Sequence, residues 1–222
     1  MRAAGLGEIA AAAAAGGLAV LSGFHPGPGD GAPEGAGTLL LLGPGPGFWA
    51  RFRGSAECRD GAADPMDRWS VRVIGALARD FGAEPLFPFG GPPYRPFIAW
   101  ATRGGRAWAS PVTLLVHAEA GLFVSYRGAL ALPRRIALPE AAERPCESCA
   151  RPCLGACPAG ALGAAGYDLA RCHAYLDTAP GADCLERGCA VRRACPVGAG
   201  AREAGRPAFH MASFHPGAGR DG

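Results

Sequence analysis

Eight of the nine cysteines lie between Cys146 and Cys195. They form two quartets. The first is Cys146-x2-Cys149-x3-Cys153-x3-Cys157-Pro158. The second is Cys172-x11-Cys184-x4-Cys189-x5-Cys195-Pro196. Thiols at this density do one of three things: they hold an iron–sulfur cluster, hold zinc, or form disulfides. A [4Fe–4S] cubane takes four thiolates, and closely spaced cysteines on one loop reach several of its corners. In two-cluster ferredoxins the last cysteine of a run serves the other cluster. Proline after each final cysteine turns the chain away and brings no N–H. The small residues Ala150, Gly155 and Ala156 fit close backbone approach. The first run departs from the bacterial C-x2-C-x2-C-x3-C-P spacing by one residue in Ala150-Arg151-Pro152.

Eight thiolates suit two Cys₄ cubanes, with one cluster as an alternative. Zinc favours two separated C-x2-C knuckles. Only Cys146-x2-Cys149 has that form, so a zinc-stabilised interaction module is the lesser reading. The stretch Ile9–Phe24 reads as an Ala-rich first helix rather than a signal peptide or a membrane span. Clustered cysteines without a secretion signal point to a reducing, cytoplasmic compartment and to metal rather than disulfides. Cys58 stands apart as an ordinary thiol. His173 adjoins Cys172 but is not needed as a ligand, His117 reads as a core histidine, and His210 and His215 read as tail residues.

Composition narrows the partners. Gly (35) and Pro (21) make up about a quarter of the chain, near the low-complexity range. Yet 49% of residues are hydrophobic and 18% charged, enough apolar surface to support a folded core. Net charge is +3, and the cysteine-rich part has no basic bias. Nucleic acid is therefore not an expected partner; a redox partner protein is.

The elements that must carry these residues follow from periodicity. Leu6–Ala15 reads as helix, Leu18–Gly23 and Thr38–Leu42 as strands, and Pro65–Phe81 as the longest helix. Asp64 is its expected N-cap and Gly82 its C-terminal glycine. Glu84–Phe89 reads as strand and Pro96–Thr102 as a short helix. Pro111–His117 and Leu122–Leu132 read as a hairpin. Gly43-Pro44-Gly45-Pro46-Gly47 reads as a rigid turn, because its prolines remove N–H groups a phosphate would need. The segment Phe87–Phe97 is core or a wall for a flat cofactor. The expectation is an α/β or α+β domain over 1–140 and a cysteine-rich domain over 141–222.

The segments Cys146–Pro158, Arg171-Cys172-His173-Ala174-Tyr175-Leu176 and Cys195-Pro196 resemble the iron–sulfur part of epoxyqueuosine reductase. The resemblance implies a ferredoxin-type double-cluster module. In it Cys146, Cys149, Cys153 and Cys195 hold one [4Fe–4S] cluster, and Cys157, Cys172, Cys184 and Cys189 the other. It also implies a nitroreductase-like N-terminal domain that could bind a corrinoid, a flavin or a small-molecule substrate. The family's catalytic acid has no counterpart in Leu86-Phe87-Pro88-Phe89-Gly90, so no catalytic residue is assigned. The leading expectation is an electron-transfer protein, and the second a corrinoid- or flavin-dependent reductase.

Overall fold

A computed structural model describes residues 4–199 and 202–216. It is mixed α+β, with small antiparallel sheets. In chain order the first elements are α1 (Leu6–Ala15), β1 (Leu18–Phe24), β2 (Thr38–Pro44), α2 (Phe48–Arg53), α3 (Ala56–Arg59), α4 (Pro65–Phe81), β3 (Glu84–Leu86) and α5 (Phe97–Arg103). The short strands β4 (Ala107–Ala109) and β5 (Leu115–His117) follow, then β6 (Gly128–Leu132). The cysteine-rich part carries β7 (Leu162–Gly163), β8 (Gly166–Tyr167), α6 (Leu169–Leu176), α7 (Ala182–Arg187), α8 (Ala190–Ala194) and α9 (Arg206–Phe214).

The chain forms two compact units, and a single cut near 140 does not separate them. One comprises Met1–Arg106 and Ser125–Ala142; the other comprises Ala107–Val124 and Glu143–Gly222.

The first unit is built on a four-stranded antiparallel sheet in the order β1-β2-β6-β3. Leu39, Leu40, Leu41 and Leu42 are all fully buried, so both faces of β2 are covered. This is why its sequence shows a continuous apolar run rather than alternation. Helices α1 and α5 pack against β1, and α4 packs against β3 and β6. Phe48 and Phe52 of α2 meet Trp69 of α4 edge-on, the nearer pair with centroids 5.1 Å apart. The turn at Gly43–Gly47 is a packing feature: Gly45 donates to the Gly17 carbonyl at 3.0 Å, and a Cβ on it would stand 2.8 Å from Leu18 backbone.

Several elements differ from the sequence expectation. Pro111–His117 and Leu122–Leu132 do not form a hairpin. β5 pairs with β4, while β6 inserts between β2 and β3. β5 belongs to the second unit and β6 to the first, a split that periodicity alone does not distinguish; Leu122, at the head of the second run, stays in one cluster with Val116. Strand β3 stops at Leu86, ahead of Pro88, which has no N–H to give a ladder. Asp64 does not cap α4 with its side chain; it sits in the left-handed region at φ 51°. The following Pro65 disfavours the right-handed region there, and Asp tolerates the left-handed one. Gly82 does end α4 in that region, at φ 62°.

The second unit has little extended structure. Among the described residues it contains the β4–β5 and β7–β8 ladders and the four short helices α6 to α9. Its apolar clusters include cysteines as members. One comprises Val112, Val116, Leu122, Cys153, Leu162, Val191 and Cys195. The other comprises Leu176, Cys184 and Met211.

Candidate metal centre

The second unit contains two hollows, each lined by four cysteines. Cys146, Cys149, Cys153 and Cys195 line the first, together with Val116, Leu122 and Pro196. Cys157, Cys172, Cys184 and Cys189 line the second, a cavity of about 80 Å³, together with Tyr167, Arg192, Met211 and Phe214. This grouping is the partition that the resemblance implies. Cys58 lies elsewhere, half-buried in α3 of the first unit.

Local structure explains the partition. Cys153 rides on a 3-10 turn, Pro152–Gly155, which starts from Arg151 in the left-handed conformation (φ 55°). This is where the first run has its extra residue, and the left-handed Arg151 accommodates it. After Cys157 the chain turns at Pro158, and the Gly160 amide closes back onto the Cys157 carbonyl at 3.0 Å. Cys172 is on α6, whose start is capped by the Asp168 carboxylate accepting from the Arg171 amide at 2.9 Å. Cys184 is on α7. Cys189 and Cys195 cap the two ends of α8. Six residues of helical rise put their backbones roughly 9 Å apart.

Sulfur in both hollows accepts hydrogen bonds. The Arg151 amide donates to Cys149 Sγ at 3.3 Å, and the Ala161 amide donates to Cys157 Sγ at 3.2 Å. The Tyr167 hydroxyl donates to Cys172 Sγ at 3.3 Å. Burial pushes the Cys146, Cys153 and Cys172 thiols up from their ordinary range, and charge on neighbouring cysteines adds to the shift. Four thiolates in one apolar pocket repel one another, so the charged form of each quartet requires bound cationic charge.

Among the described residues, no three His, Cys, Asp or Glu side chains converge so as to hold a single metal ion.

The histidines divide. His117 is buried, and its Nδ1 accepts from the Glu119 and Ala120 amides at 3.1 and 3.2 Å. His210 and His215 are not loose tail residues. His210 lines the second hollow from α9. His215 is 8% exposed and lies between His173 Nδ1 at 2.6 Å and Asp177 Oδ1 at 2.7 Å. The Asp177 carboxylate only accepts, so His215 Nε2 donates to it, and the two Nδ1 atoms share one proton between them. The segment Phe87–Phe97 stays in the first unit. Phe87 stacks on Phe89 at 5.2 Å, Phe97 is buried against Trp100, and Tyr94 is 66% exposed.

Tyr167, Arg192, Met211 and Phe214 were not legible as site residues. Tyr167 alone has a local signal, because it precedes Cys172 by one turn and the Asp168 cap. The chain matches no family model, no curated protein and no solved structure. Among the described residues, no helix is long and apolar enough to cross a membrane.

Proposed function

We propose that this protein is an iron–sulfur electron carrier that holds two [4Fe–4S] clusters. The observation that carries the reading is the sorting of eight cysteines into two hollows, four to each. The donor chemistry fits: every ligand is a thiol, the walls are apolar, and backbone amides donate to sulfur in both hollows. Cys146, Cys149, Cys153 and Cys195 would hold one cluster, and Cys157, Cys172, Cys184 and Cys189 the other. Each cluster, when bound, accepts and returns one electron.

The chain's own part is to ligate, exclude water and fix the separation. Val116, Leu122, Met211 and Phe214 keep the hollows apolar. Helix α8 ties one ligand of each set to one rigid element. The finer fold assignment belongs to the same proposal: a nitroreductase-like first unit and a ferredoxin-type second unit. It is supported by the quoted cysteine segments and by the order α1, β1, β2, α4.

The test is anaerobic purification or reconstitution with iron and sulfide. The expected result is a brown protein with about eight iron and about eight acid-labile sulfide per chain. Its EPR spectrum after dithionite reduction would show two interacting one-electron centres. A colourless chain that takes up zinc stoichiometrically and no sulfide overturns the proposal in favour of a zinc-stabilised module. A corrinoid or flavin absorbance that survives desalting would add a reductase role in the first unit.

A further inference from the structure

The two hollows are not equivalent in their polar surroundings. We propose that the second hollow, with Cys157, Cys172, Cys184 and Cys189, is the higher-potential of the two centres, and that the Tyr167 hydroxyl makes it so. This rests on the iron–sulfur reading.

An electron entering a thiolate-bound centre adds one negative charge to it. Hydrogen-bond donors and cations nearby stabilise the reduced form more than the oxidised form, so they raise the potential. In the first hollow, among the described residues, the donors to sulfur are backbone amides: Arg151 on Cys149 at 3.3 Å, and those of Cys153 and Leu154 on Cys153. The second hollow has an equivalent amide, Ala161 on Cys157, and adds the Tyr167 hydroxyl on Cys172. Tyr167 is held in place by its ring, which stacks on Phe214 at 6.3 Å and 13°.

Charge does not separate the hollows. Arg192, half-buried, lines the second and donates to the Leu122 carbonyl at 2.7 Å. Arg202, also half-buried, donates to the carbonyl of Cys195, a residue of the first, at 2.6 Å. The Tyr167 hydroxyl is therefore the difference that the two potentials should report.

The experiment is an EPR-monitored redox titration of the reconstituted full chain, with dithionite as reductant. Tyr167→Phe removes the hydroxyl and keeps the ring on Phe214. One midpoint is expected to fall by about tenfold in the reduction equilibrium, about 59 mV for one electron, while the other holds. The signal that moves should be the one missing in Cys184→Ala and present in Cys195→Ala. A chain that binds two clusters whose midpoints ignore Tyr167→Phe, or move together, overturns this inference and leaves the iron–sulfur reading standing. So does a wild-type titration in which the signal lost in Cys184→Ala is the lower-potential one. A chain that takes up no iron and sulfide overturns both.

Discussion

Cys189 and Cys195 cap opposite ends of the five-residue helix α8, and each lines a different hollow. The last two cysteines of the second quartet are therefore split between the sites. Their individual loss should be site-specific. Cys189→Ala should abolish the centre of the second hollow, and Cys195→Ala that of the first. Each variant should keep about four iron where the wild type has about eight. Iron and sulfide analysis, read with EPR, checks this. Two variants with the same spectrum would mean that the hollows do not bind separately.

Helix α9 is fastened by one buried histidine. His215 bridges His173 and Asp177, while Met211 and Phe214 on the same helix line the second hollow. His215→Ala removes both bonds and leaves His173 short of a partner in a half-buried position. A cost of about 1–3 kcal/mol is expected for such a loss. Hydrogen exchange should show faster opening of α9, and the second centre should lose iron to a chelator sooner than the first.

Gly121 presses against the first hollow. It has φ +57°, and a Cβ there would stand 2.3 Å from the Val197 carbonyl oxygen and 3.0 Å from Cys195 Sγ. Gly121→Ala therefore meets both backbone strain and a collision that flexible side-chain movement does not relieve. The expected destabilisation is about 1–3 kcal/mol. Denaturant unfolding of the chain measures it. The first centre should be lost ahead of the second, the reverse of the His215→Ala result.

In the first unit, α3 is tied to α4 by two ion pairs, Glu57 with Arg72 and Asp60 with Arg68. The hydrogen bond from Arg72 holds the Glu57 carboxyl at about 2, against an ordinary 4.5. The hydrogen bond from Arg68 likewise holds Asp60 at about 2. The folded values lie below the unfolded ones. Their stabilisation is therefore fully present above about pH 4.5 and is lost as pH falls toward 2. Glu57→Gln should cost no more than about 1 kcal/mol at pH 7, as befits a solvent-facing pair. The difference from wild type should shrink as pH falls through about 2 and vanish below it. Parallel thermal melts across that range give the comparison.

Much of this molecule could be read from local pattern. The all-apolar Thr38–Leu42 run is strand because a buried strand has no wet face to alternate with. The apolar spacing through Trp69 and Leu77, ended by Gly82, defines α4. The density of the eight cysteines, with each quartet closed by Cys-Pro, is what raises the metal reading, because thiol density and proline punctuation are local properties.

Tertiary structure decided what depends on segments meeting from far apart. Nothing local separates Leu114–His117 from Gly128–Leu132, since both are short apolar runs; only strand pairing sends β5 to β4 and β6 to β2. That choice places Val116 and Leu122 on the wall of a cysteine-lined hollow. Likewise His215 looks like a tail residue until α9 folds back and sets it between His173 and Asp177. Tyr167 becomes different from other tyrosines only because its hydroxyl reaches Cys172. Hydrogen bonding and desolvation depend on distance in space. The sequence by itself determined which atoms could bind metal, and the fold determined which of them share a site and what field they share it in.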